Sequence, residues 1–247
     1  MQWGFALCNV NRRLSQSSPV RGNSRAHHRR PRAETKAELE ALAKELNPTI
    51  GFYDPLGLAD QNFWGKTEEE TIGFLRHAEI KHGRVAMAAF SGYCVQSNGF
   101  HWPWPMTMDG QSFAIAGSPP EQWDAIPLNA KLQIVAFVGF LEFYSELAGT
   151  HYMKGGTPGK YPSFSDTGFD KVMPVDLYDP AKLFSGMSAE KSKRGLAVEI
   201  NNGRAAMLGI FAFMSASKVD GSVPALSFIK PYAGDYMQPF EGNFDLF

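Results

Sequence analysis

Ala78-Glu79-Ile80-Lys81-His82-Gly83-Arg84-Val85-Ala86-Met87 returns 120 residues later as Val198-Glu199-Ile200-Asn201-Asn202-Gly203-Arg204-Ala205-Ala206-Met207, identical at six of ten positions. An offset that long is not a solenoid period. It describes two similar helices related by a pseudo-two-fold axis, with a different element between them. Each copy reads Glu-x-x-(His/Asn)-x-Arg inside a mostly apolar stretch. Glu79 and His82, three apart, share a helix face, and so do Glu199 and Asn202. Glu79 and Arg84 are five apart, a poor pairing geometry within one helix. Crossing the helices resolves this: Arg204 reaches Glu79, and Arg84 reaches Glu199. Each carboxylate then keeps one oxygen free for another ligand. A buried pair by itself adds little stability, because desolvation offsets the attraction, so the free oxygen points to a binding role.

Working outward, the pattern predicts a helix from Thr67, with Thr67 and Glu70 at capping-box spacing, to Gly99, roughly 46 Å long. A second helix fits Ala130–Ala148, capped by Asn129 and stopped by Gly149, roughly 28 Å. A third fits Ala189–Lys218, after Ser188 and before Gly221 and Pro224, roughly 45 Å. A short amphipathic helix fits Ala37–Leu46, with Leu39, Leu42 and Leu46 on one face and Asn47-Pro48 as its stop. Phe52-Tyr53-Asp54-Pro55-Leu56-Gly57-Leu58 reads as a turn with apolar anchors, and 102–127 as a long loop. No segment alternates as a strand would. Ala88 with Gly92, and Ala205 with Gly209, supply small-xxx-small spacing for a close helix crossing.

No run of 18 apolar residues exists, so hydropathy alone reads the chain as soluble. The charges argue otherwise. Val85 through Ala130 contains no Lys or Arg, 151–194 contains seven, and only Lys230 follows the third helix. That alternation is the signature of three spans under the positive-inside rule. It puts the N-terminus and the 151–194 connection on one side, and the 99–129 connection and the C-terminus on the other. His101-Trp102-Pro103-Trp104 would form an aromatic belt at the second face.

The chain has 247 residues and a net charge of −1. Seven arginines and no acid lie in 1–33, leaving 17 basic against 25 acidic residues beyond. Residues 1–33 read as an organelle-targeting or disordered basic segment, and 34–247 as one domain. Nothing downstream continues the basic surface, which argues against nucleic acid. Cys8 and Cys94 make neither a disulfide framework nor a metal spacing. No nucleophile–base constellation or phosphate-binding loop is present, so an enzyme is not expected.

A carboxylate oxygen, an imidazole nitrogen and an amide oxygen all suit a Mg²⁺ whose other positions are filled by a macrocycle. Such a metal carries no charge beyond its ring, so a Glu ligand needs a countercharge, which Arg supplies. The doubled motif resembles the chlorophyll-binding light-harvesting superfamily, over roughly Phe52 to Phe240, about three quarters of the chain. Phe52–Leu58, Glu199–Met207 and Gly221-Ser222-Val223-Pro224 are similar to its red-lineage chlorophyll a/c branch. The 102–127 loop and Pro231-Tyr232-Ala233-Gly234 are most similar to dinoflagellate members.

The resemblance implies an all-α membrane protein with three transmembrane helices, the first and third crossed, plus short amphipathic surface helices. It implies chlorophyll magnesium held by Glu79, His82, Glu199 and Asn202, and by Glu142 on the second helix, with Gln133 as a further ligand one residue out of the green-lineage spacing. Arg84 and Arg204 are the interhelical partners. Ala216 stands where the green-lineage pattern has a Gln, and Ser145 where it has an Arg beside the second-helix Glu. Glu146 reads as a solvated helix-end acid, and His77, His101 and His151 as non-ligands. The implied cofactors are chlorophyll a, chlorophyll c and carotenoid (peridinin or fucoxanthin, diadinoxanthin-type). The implied setting is the plastid thylakoid membrane, N-terminus and 151–194 stromal, with thylakoid lipids, other antenna subunits and a photosystem core as partners, photosystem I ahead of II. The function implied is excitation transfer, with a photoprotective quencher or a pigment-free helical scaffold as alternatives.

Overall fold

The computed structural model describes residues 35–113, 117–164, 168, 171, 186–237 and 240. The basic 1–33 segment and most of 165–185 lie outside these residues. Helices and turns, and no strand, occur among the described residues. α1 spans Lys36–Leu46, α2 Glu68–Ser97, α3 Pro119–Asp124, α4 Leu128–Leu147 and α5 Ala189–Lys218.

Local chemistry sets these boundaries. Thr67 Oγ1 accepts the Glu70 N–H at 3.3 Å and the Glu70 carboxylate accepts the Thr67 N–H at 3.1 Å, a reciprocal cap. The Ser188 hydroxyl accepts the Lys191 N–H at the start of α5. Gly99, at φ 71°, and Gly149, at φ 78°, turn the chain after α2 and α4 in the left-handed region. α1 is tied to the helix pair by Lys193–Glu45 at 2.6 Å and by Asn201 Nδ2 donating to the Leu46 carbonyl. In the turn before α2, the Asp54 carboxylate accepts the N–H groups of Ala59 and Leu58, which hold its pKa below the ordinary 3.8.

Three readings from sequence need correction. α4 starts at Leu128 after Pro127, so Asn129 is inside the helix and not its cap. Pro fixes its own φ and needs no N–H there, and it opens the helix before the Asn can. The 102–127 stretch is not all loop: the Glu121 carboxylate accepts the Ser118 N–H at 2.6 Å, and Pro119 and Pro120 start α3. Hydropathy also does not read the whole chain as soluble, because Leu128–Lys154 is long and apolar enough to cross a bilayer.

α2 packs mainly on α5. The closest approach is Gly83 against Gly203: a Cβ on Gly83 would lie 3.1 Å from Gly203 Cα, and one on Gly203 2.9 Å from Gly83 Cα. The crossing therefore sits inside the repeated motif. Of the expected small pairs, Gly92 faces open space, and Gly209 makes room for the Phe90 ring instead. Below the crossing, Phe213 stacks between Phe90 and Tyr93, centroids 4.9 and 5.0 Å apart.

The turn after α4 packs on the other side of α2, where a Cβ on Gly73 would meet the Tyr152 carbonyl oxygen at 2.8 Å. Further along, Gly159 (φ 73°) donates its N–H to His77 Nδ1 and accepts from Arg84 at 2.6 Å. α4 itself stands off from the crossed pair and forms no extended packing with α2 or α5 among the described residues. Its side chains Phe137 and Phe143 are 50% and 67% exposed. Few apolar side chains are buried among the described residues: Ala59, Ile72, Ala86, Tyr93, Phe164, Ala206 and Tyr232.

Gly83→Val should weaken the crossing by about 1–3 kcal/mol, the usual cost of overpacking. Gly92→Ala should be neutral or slightly stabilising. Thermal unfolding followed by circular dichroism compares them, and a larger loss at Gly92 would place the helix contact elsewhere.

Candidate functional site

The crossing brings the two motifs together as reciprocal ion pairs. Arg204 donates from Nε to Glu79 Oε1 at 2.7 Å, and Arg84 donates from Nε to Glu199 Oε1 at 2.6 Å. The acids are about a quarter exposed. The two halves are not equivalent. Arg76, buried one turn before Glu79, donates to Glu79 Oε2, so that oxygen is not free as the symmetric reading expects. The matching residue in the second copy is Leu196, and Glu199 carries only Arg84 among the described ion pairs. Arg76 was detectable from its i,i+3 spacing to Glu79. The repeat draws attention away from it, because it lies just outside the repeated ten residues.

The flanking donors point outward. His82 is exposed, and its Nδ1 lies 2.8 Å from the Ala78 carbonyl oxygen. A carbonyl only accepts, so Nδ1 carries the proton and Nε2 presents its lone pair to the surroundings. Asn202 is exposed at the equivalent place on α5. On α4, Glu142 is exposed, and Lys81 Nζ lies 2.5 Å from its Oε2. Lys81 also donates to Ser145 Oγ at 3.1 Å. Sequence reasoning left Glu142 without a partner because its cation comes from another helix, 61 residues away. Gln133 is exposed, nine residues before Glu142. α4 runs unbroken between them, so at about 100° per residue the two face opposite sides.

The remaining groups have structural partners. His77 accepts from Gly159 through Nδ1, and its ring stacks on Tyr152 at 3.8 Å. Glu146 is not simply solvated: it accepts from His151 Nε2 at 2.9 Å and lies 3.7 Å from Lys81. His101 donates to the Trp102 carbonyl. Next to Ala216, the Ser217 hydroxyl is bonded to Tyr236 at 2.7 Å.

This donor set fits a magnesium macrocycle. The exposed groups are an imidazole, an amide and a carboxylate with a nearby cation. Apolar grooves flank the crossing, one of about 430 Å³ between α2, α3 and α5 near Tyr93, Trp123 and Met214. Flat apolar rings could fill the gap between α4 and the crossed pair without displacing a packed core.

The sequence model of the family described as Chlorophyll A-B binding protein matches residues 38–218. The fucoxanthin-chlorophyll a-c binding protein of Trieres chinensis is 39% identical over 196 residues, covering 74% of this chain and 83% of the relative. Fucoxanthin-chlorophyll a-c binding protein B of Phaeodactylum tricornutum is 35% identical, covering 67% of this chain and 72% of that protein. Fucoxanthin-chlorophyll a-c binding protein D of Macrocystis pyrifera is 34% identical, covering 67% and 79%. A crossed, ion-paired helix couple with outward ligand groups and a match of this extent have one explanation: the chain belongs to the Chlorophyll A-B binding protein family, among relatives of the chlorophyll a/c light-harvesting branch.

Proposed function

We propose that this antenna protein crosses the thylakoid membrane three times, through α2, α4 and α5, and holds chlorophyll magnesium through Glu79, His82, Glu142, Glu199 and Asn202, with Gln133 as a further ligand. Family membership makes it a light-harvesting pigment protein and not an enzyme. Its cofactors are chlorophyll a, chlorophyll c and carotenoid, and the relatives' names favour fucoxanthin over peridinin. Residues 34–247 form the pigment domain, in contact with thylakoid lipids and other antenna subunits. It delivers excitation to a photosystem, photosystem I ahead of II.

The observation that carries the ligand reading is the reciprocal pairing of Arg204 with Glu79 and Arg84 with Glu199. Ionised residues at bilayer depth are costly unless partnered. Here each anion has a cation from the other helix, so a carboxylate can stay ionised and act as an axial ligand. The same pairing supports three spans. Among the described residues only α4 passes as membrane-spanning by composition, but the charges that disqualify the middle of α2 and α5 neutralise one another. The pigments supply absorption and excitation transfer. The chain fixes their separation and orientation, and excludes water from the crossing.

The asymmetry at Arg76 sharpens the test. Arg84→Leu leaves Glu199 with no cation among the described residues, whereas Arg204→Leu leaves Glu79 with Arg76. A lone buried carboxylate takes up a proton and becomes a poorer ligand. Breaking one partner of such a pair costs about 3–5 kcal/mol. After reconstitution with pigments, Arg84→Leu should lose more chlorophyll per chain than Arg204→Leu. Full pigment retention in Arg84→Leu would sink the crossed-pair mechanism.

Topology follows from Lys and Arg placement. The 151–194 connection and the N-terminus are stromal; 99–129 and the C-terminus are lumenal. Trp102 and Trp104, stacked at 4.9 Å and exposed just past α2, mark the lumenal interface. Protease added to right-side-out thylakoid vesicles should cut within 151–194, and added to inside-out vesicles it should spare that loop. The reverse pattern would invert the assignment.

A further inference from the structure

Lys81 is a position at which the repeat fails. Its counterpart Asn201 bonds to the Leu46 carbonyl at the edge of α1, a purely structural contact. Lys81 instead leaves the crossed pair and reaches α4, the helix that lies outside the pseudo-two-fold. Its Nζ is 2.5 Å from Glu142 Oε2, 3.1 Å from Ser145 Oγ and 3.7 Å from Glu146 Oε1. Glu146 also has His151 at 2.9 Å. Glu142 has only Lys81 as an ion-pair partner among the described residues.

α4 cannot neutralise Glu142 from its own length. Its only cation is Lys131, eleven residues away, where it donates to the Asp124 carbonyl and lies over the Trp123 ring. Ser145, one turn after Glu142, is where a local arginine would serve. In water an exposed Lys–Glu pair is worth little. Facing hydrocarbon, an anion needs a partner to stay ionised. The amine end is the more sheltered: the Lys81 side chain is 24% exposed and that of Glu142 56%. Oε2 is therefore held against α2, which leaves Oε1 for a ligand.

We propose that Lys81 is the positioning residue for the pigment on α4: it supplies from α2 the countercharge that lets Glu142 ligate magnesium as an anion. This rests on the reading of Glu142 as a ligand. Lys81 lies two residues from Glu79 and one from His82. The α4 pigment is thereby fixed relative to the pigments of the first motif, across a gap that no direct helix packing closes.

The test uses the full chain reconstituted with chlorophyll a, chlorophyll c and carotenoid, read as chlorophyll per chain and as an absorption difference spectrum. Glu142→Ala should lose one chlorophyll and define its band. Lys81→Met should lose the same band, and Lys81→Arg should keep it. Lys81→Met with Glu142→Gln should regain it, because a neutral amide oxygen can ligate without a countercharge. A residue that only props two helices apart would not be rescued that way. If Glu142→Ala keeps the full count, the ligand reading falls and this inference with it. If Glu142→Ala loses the band but Lys81→Met keeps it, only the role of Lys81 is overturned. If Lys81→Met fails to assemble, assembly of the double variant with the band restored upholds the proposal, and failure of the double overturns it.

Discussion

Charge placed where water is scarce must be neutralised by something the fold itself brings near. The Arg204–Glu79 and Arg84–Glu199 pairs meet that requirement between helices, not within one. α5 cannot carry its motif alone, because the one described cation on Glu199 comes from α2, and Glu79 adds the distant Arg204 to the Arg76 of its own helix. The motif is thus a requirement for the crossing, and the crossing is a requirement for the motif. The glycines at the contact, the Gly159 carbonyl on Arg84 and the buried Arg76 all serve the same charge balance.

The rest of the chain is unusual for what it leaves unpacked. A domain of this length that buried its apolar surface internally would have a continuous core. Here the described core is a thin seam, mostly along α2 and α5, and α4 is held towards its C-terminal end by few contacts. Tyr144 donates to the Ser163 carbonyl, Tyr161 donates to the Leu141 carbonyl, and Lys81 bridges to Glu142. In the proposed arrangement, lipid on one side and pigment on the other would complete the packing. Anything that binds only the folded chain stabilises it by mass action, so cofactor supply and folding are linked in such a protein.

Much of this was legible in the residues. Thr67 with Glu70, and Ser188 before an apolar-periodic run, announce helix starts because a side-chain oxygen must satisfy the first free N–H groups. The two Glu–Arg motifs announce their own cross-pairing because five residues is the wrong distance within a helix. The features that were not legible depend on which surfaces meet. Several small residues were candidates for the crossing, and only the packed structure shows that Gly83 and Gly203 touch while Gly209 lies against Phe90. Lys81 looks like a solvated charge until α4 is placed beside it. Arg76 looks incidental until Glu79 is seen to need a second cation, for which the symmetric reading has no room.

The Gly83–Gly203 contact has an optical meaning. His82 lies one residue before it on α2, and Asn202 one residue before it on α5. On the ligation proposed for His82 and Asn202, the separation of the two helix axes at that point would contribute to the spacing between their chromophores. Excitation hops between such chromophores at a rate that falls steeply with distance. The absence of two β-carbons lets the axes approach closely, and with pigments held as proposed it would thereby bear on how fast energy passes between them. On that reading a glycine pair would act as a spacer gauge for light.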